Sequence, residues 1–108
     1  MSRVRSERVV LIAEDQPEIA DILKSYLERE GYRVLVASDG FQAIDLHARF
    51  KPDLILLDVL MPNMSGWEVL NEIRRRGDTP VIMVTARDDN SDKISALRIG
   101  ADDYVTKP

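Results

Sequence analysis

The chain contains no cysteine, which removes disulfide frameworks, thiolate nucleophiles and Cys-ligated zinc or iron–sulfur centres. It has one histidine, His47, too few for a His-rich metal site. No apolar run approaches the roughly 20 residues of a membrane span. The basic opening MSRVRSE leads only into the short VVLIA, not into a signal-peptide core. Positive charge is also scarce: 15 basic residues against 19 acidic leave a net charge of −4, the reverse of the basic excess of a nucleic-acid surface. No linker, repeat or low-complexity stretch interrupts the chain. What is present is 108 residues with 44% hydrophobic content, enough for one packed core. The expectation is a single soluble, cytoplasmic domain over residues 8–108 behind a flexible tail at 1–7.

Short apolar runs recur at Val9–Ile12, Val34–Val36, Leu54–Leu57, Val81–Val84 and, weakly, Tyr104–Val105, their starts 20 to 27 residues apart. That is the rhythm of successive strand–helix units. VVLI, LILL and VIMV are apolar at both parities, as strands covered on both faces are, and the other two suit sheet edges. The spacing predicts an α/β fold with a parallel sheet.

Helix punctuation fills the gaps. Pro17 suits a first helical position, and Ile19, Ile22, Leu23, Tyr26 and Leu27 form one apolar stripe before Gly31. Asp39 with Gln42, and Ser65 with Glu68, match the capping-box spacing. Gly77 and Gly100 sit where helix C-caps are expected, and a fourth helix is predicted from about Asn90 to Ile99.

The chemistry-bearing residues follow the strand ends. Glu14 and Asp15 come after the first strand, Asp58 ends the third, Thr85 ends the fourth and Lys107 follows the fifth. In an open parallel sheet these ends share one edge, where ligands bind at the switch in strand order. Three carboxylates gathered there repel one another, and a divalent cation relieves the repulsion. Oxygen ligands without histidine or cysteine point to Mg²⁺ or Mn²⁺. With an ammonium from Lys107 and a hydroxyl from Thr85, the set suits a phosphoryl group, and Asp58 becomes the nucleophile that would form an aspartyl phosphate. Singly, each residue has an ordinary use as a cap or a solvated charge; caps explain neither the lysine nor the shared edge. His47 reads as a partly exposed structural histidine, Trp67 and the methionines as packing residues, and Arg74–Arg76 as a solvated helix end near last-turn carbonyls.

These residues resemble the receiver domain of two-component response regulators. The matching segments are Glu14-Asp15, Leu54-Ile-Leu-Leu-Asp58-Val-Leu-Met-Pro62 with Gly66 beyond, Thr85-Ala86, and Gly100-Ala-Asp-Asp-Tyr-Val-Thr-Lys-Pro108. The resemblance implies a flavodoxin-like five-stranded sheet of order 2-1-3-4-5. It implies that Asp58 is the phosphoacceptor, fed by a phosphohistidine on a sensor histidine kinase. Mg²⁺ would sit on Asp15, Asp58 and the backbone carbonyl of Leu60, with Glu14 acting through metal-bound water. Thr85 and Tyr104 would be the switch pair, Lys107 the partner of the phosphoryl group, and Lys107–Pro108 a cis peptide. Such a domain controls an output domain or partner, and is no enzyme beyond its own phosphorylation and dephosphorylation. The tail ADDYVTKP resembles receivers of winged-helix transcription regulators, although Arg98 stands where that subgroup carries an acid.

Against an aspartyl-phosphate phosphatase of the haloacid-dehalogenase type, Leu60 occupies the place of that family's second acid. Against a flavodoxin-like nucleotide binder, no glycine-rich phosphate loop is present. A docking module that is never phosphorylated would be expected to lose Asp58, Thr85 or Lys107. The implied strand order, with right-handed crossovers, puts the first helix on one face and the next three on the other. The chain stops at Pro108, before the family's fifth helix. That places an apolar patch on the face of the first helix and self-association, as a homodimer, among the expectations.

Overall fold

The computed structural model describes residues 8–85 and 90–106. The N-terminal tail, Ala86, Lys107 and Pro108, with the cis-peptide expectation, lie outside the described residues. Strands and helices alternate: β1 (Val9–Ala13), α1 (Pro17–Arg29), β2 (Arg33–Ala37), α2 (Gly40–Phe50), β3 (Leu54–Leu57), α3 (Gly66–Arg76), β4 (Val81–Thr85), α4 (Asn90–Ile99) and β5 (Asp103–Thr106). All neighbouring strands pair in parallel, in the order β2-β1-β3-β4-β5. This is the flavodoxin-like open sheet that the residues and the resemblance imply. Among the described residues no helix is long and apolar enough to cross a membrane.

Local chemistry sets the helix ends. Pro17 opens α1, where its missing N–H costs nothing. Ser65 and Glu68 form a full capping box on α3. The α2 start differs from its expected box. Asp39 does accept from the Gln42 amide at 2.8 Å, but the Gln42 carboxamide oxygen turns to the Ser38 amide, also at 2.8 Å, instead of to Asp39. The reciprocal arm is displaced by one residue.

Two apolar layers flank the sheet. Leu11, Ile55, Leu57, Val81 and Met83 pack with Ala43 of α2, Val69, Leu70 and Ile73 of α3, and Ala96 of α4. On the other face Val10, Ile12 and Val34 pack with Leu23 and Leu27 of α1. One helix thus serves one face and three the other, as crossover handedness requires. On the α1 face burial falls off away from that helix: Val10 and Ile12 are buried, Leu54, Leu56, Ile82 and Val84 half-buried, and Val105 on the edge strand 44% exposed.

Two readings of single residues are corrected. His47 is buried, not partly exposed, because α2 turns it toward Thr79, with Nε2 and the hydroxyl oxygen 3.0 Å apart. Arg74 is no solvated helix end: it bonds to Thr79, Gly100 and Asp102. Only Arg75 and Arg76 stay local, both pairing with Glu72.

Candidate functional site

Strand register builds the site. Ala13, the last residue of β1, pairs with Ala37 on one side and Leu57 on the other. The ladder runs one step further, the Glu14 amide donating to the Ala37 carbonyl at 2.9 Å and the Asp58 amide to the Ala13 carbonyl at 3.0 Å. Backbone bonding therefore fixes Glu14 and Asp58 beside each other at the carboxyl edge. Both are buried, at 3% and 6% exposure, while Asp15 is exposed. One carboxylate oxygen from each of Glu14, Asp15 and Asp58 can be chosen so that all lie within 4.8 Å of one another. These are hard oxygen donors of one charge sign at the spacing a divalent cation bridges, and they fit Mg²⁺ by chemistry as well as by distance.

The surroundings complete the rim. Glu14 accepts from the Gln16 amide at 3.1 Å, which orients its carboxylate at the start of α1. Thr85 ends β4 with 1% exposure, and Tyr104 is buried on β5. Tyr104 pairs with Met83, two residues before Thr85, so alternation puts Thr85 and Tyr104 on the same face of the sheet. Leu60 lies in the β3–α3 loop with its side chain exposed and its amide 3.4 Å from the Asp58 carboxylate. Gly66, the first residue of α3, donates to the Val59 carbonyl at 2.8 Å, and a Cβ there would run into the Asp58 carbonyl oxygen. Only a glycine lets the helix start so close to that backbone.

Of the residues singled out from the sequence, the structure brings together Glu14, Asp15 and Asp58 at one edge. It places Thr85 at the same end of the sheet, Leu60 in the adjoining loop and Tyr104 on the neighbouring strand; Lys107 lies outside the described residues. In the sequence Asp39 reads only as the cap of α2, and Asn63 carries no reading of its own. Asn63 has φ of +70° and donates its side-chain N–H to Asp39 at 3.2 Å, tying the β3–α3 loop to α2. Asparagine directly after Pro62 is a readable turn signal, but nothing local says what the turn leans on.

The family model of the response regulator receiver domain matches residues 10–108. The receiver domain of the Francisella response regulator 1452 is 38% identical with a TM-score of 0.90, over 94% of this chain and 85% of that one. The BeF3-activated N-terminal receiver domain of Klebsiella pneumoniae RstA is 31% identical with a TM-score of 0.89, over 94% and 88%. The Thermotoga maritima response regulator TrrA, in complex with Mg²⁺-BeF, is 35% identical with a TM-score of 0.85, over 94% and 87%. Three carboxylates on a shared strand edge, the sheet order and these matches lead to one assignment: the chain belongs to the response regulator receiver domains.

Proposed function

We propose that this receiver is a phosphorylatable cytoplasmic switch in which Asp58 takes a phosphoryl group from a phosphohistidine of a sensor histidine kinase. The observation that carries the reading is the trio Glu14, Asp15 and Asp58, whose oxygens gather within 4.8 Å. A carboxylate oxygen of Asp58 forms the new bond to phosphorus as the phosphorus–nitrogen bond breaks. The bond pair returns to the imidazole nitrogen of the donor. Mg²⁺ would be held by Asp15, Asp58 and the Leu60 carbonyl, with Glu14 acting through water, and when bound it supplies neutralisation of the phosphoryl oxygens. Lys107 adds an ammonium to the same charge. Thr85 offers a hydroxyl donor from a buried position, and its movement toward the phosphoryl group would free space for Tyr104. The changed Thr85–Tyr104 face then signals to an output domain or partner, a transcription regulator's DNA-binding domain being the output that the ADDYVTKP tail favours. That BeF-bound relatives exist in activated and Mg²⁺-bound forms supports this assignment.

The test is incubation with Mg²⁺ and acetyl phosphate followed by intact-mass measurement. The protein gains one phosphoryl group, gains none with a chelator, and Asp58→Asn gains none because an amide is a poor nucleophile. Equal labelling of Asp58→Asn would overturn the assignment.

A further inference from the structure

The loop that carries Leu60 is held less securely than the strands around it. Its ends are anchored, with the Asp58 amide on Ala13 and the Gly66 amide on Val59. Between them Leu60 is 62% exposed, and among the described residues its amide makes a long 3.4 Å contact to Asp58. The one sharp feature is a three-residue turn. The Met64 amide donates to the Pro62 carbonyl at 2.8 Å around Asn63, whose φ is +70°. A turn of that size at positive φ is the rarer, strained γ-turn. Strain of this kind persists only where its surroundings over-determine it, and it concentrates beside functional sites.

Here the surroundings are the first turn of α2. Asp39 divides its carboxylate: Oδ1 accepts from the Gln42 amide at 2.8 Å and caps α2, while Oδ2 accepts from the Asn63 side chain at 3.2 Å. Gly40 lies flat against the loop, since a Cβ there would meet Met64 and, at 3.0 Å, Val69. The strained turn is therefore clamped onto a helix end that is itself fixed in the core through Ala43.

We infer that Asp39 and Asn63 are positioning residues for the phosphoryl site: their contact sets the path of the β3–α3 loop and with it the place of the Leu60 backbone. The inference rests on the proposed Mg²⁺-dependent phosphorylation and deepens it. It separates affinity from stability. Asn63→Gly removes the contact but relieves the positive φ, so folding should be little changed or improved. Asp39→Ser keeps a capping oxygen for Gln42 and loses the second one.

Calorimetric titration of the full chain with MgCl₂ is the test, alongside urea unfolding of the same variants. Outer-shell partners of metal ligands are worth about 10–100-fold in affinity. These residues lie one contact further out, so each variant should weaken Mg²⁺ binding by about three- to tenfold, the low end of that scale or just below it. The double variant should lose no more than either single one, because both remove one contact. The exchange Asp39→Asn with Asn63→Asp rebuilds the hydrogen bond in the opposite sense at unchanged net charge, and should restore binding. Wild-type affinity in both single variants would overturn the inference. So would losses in proportion to stability, or no rescue by the exchange. If the unsubstituted protein bound no Mg²⁺, the parent reading would fail first and take this one with it.

Discussion

Arg74 and Asp102 meet with Nη2 and Oδ2 3.0 Å apart, and each is also bonded elsewhere. Arg74 donates to the Gly100 and Thr79 carbonyls, each at 2.7 Å, and the same Asp102 oxygen accepts from the Val81 amide at 2.8 Å. The end of α3 is thus tied to the α4–β5 turn and to the start of β4. Asp102 is 56% exposed, so the ion pair itself contributes little. The charged donor to two carbonyls is the larger effect. Arg74→Ala should destabilise by about 2–4 kcal/mol, read as a lower urea midpoint at unchanged slope. Arg74→Lys should recover only part, because an ammonium lacks the planar fork that reaches three acceptors. Asp102→Asn, which can still accept from Val81, should cost least.

That clamp marks where sequence reading stops. Pro17, Ser65–Glu68 and the doubly apolar strands are local signals, and the structure places α1, α3, β1, β3 and β4 on them. The strand-end carboxylates were legible because parallel order puts every such end on one edge. Arg74 and His47 were misread for the opposite reason. Gly100 and Asp102 lie 26 and 28 residues beyond Arg74, and Thr79 lies 32 beyond His47; no periodicity in a helix announces a carbonyl, carboxylate or hydroxyl that tertiary packing delivers. Asn63 was half legible: the turn shows in its residue type, the Asp39 contact only in space.

His47 should make stability depend on pH. Its buried Nδ1 has no hydrogen-bond partner among the described residues, and its pKa is lowered from 6.5 by burial and then by Arg76 and Arg74. Well above pH 6.5 both folded and unfolded chains hold it neutral, and it contributes no pH dependence. As pH falls through 6.5 the unfolded chain takes up a proton that the folded His47 refuses, so stability drops until the lower folded pKa is reached. His47→Gln keeps a donor for Thr79 and does not titrate. Urea midpoints of the two proteins between about pH 5 and 7.5 should diverge on that slope, the variant being the flatter. Parallel curves would show that the ring's burial is not what the pH trend reports.

Asp15 is exposed yet shares the carboxylate cluster. Asp15→Asn should raise the metal-free melting temperature, because one of three mutually repelling charges is removed. Solvent and salt screen this group, so the gain should stay at or below about 1 kcal/mol. The Mg²⁺-induced rise in melting temperature should shrink at the same time, since a ligand's stabilisation grows with the logarithm of its concentration over its dissociation constant. A variant with an undiminished Mg²⁺ shift would mean that Asp15 is not a direct ligand.

Gly66→Ala sets two effects of opposite sign against each other at the start of α3. Alanine gains about 1 kcal/mol over glycine within a helix. The added Cβ, however, would overlap the Asp58 carbonyl oxygen and sit 2.8 Å from the Val59 Cα. Both obstacles are backbone, held by the bond from the Asp58 amide to Ala13 and the bond from the Gly66 amide to Val59, so no flexible side chain can yield. Overpacking of this kind costs about 1–3 kcal/mol, and here the first helical position gains less than a mid-helix one. The clash should win, with a net loss of about 1–2 kcal/mol. Relief can come only by moving α3 or the backbone of Asp58 itself, so the acetyl phosphate labelling rate should fall even at temperatures where the variant is fully folded. Gly77→Ala is the control: its site is open, with nothing within 4 Å of an added Cβ, and labelling there should match the unsubstituted protein. If Gly66→Ala folded and labelled as well as Gly77→Ala, the contact between α3 and Asp58 would have no part in presenting the carboxylate.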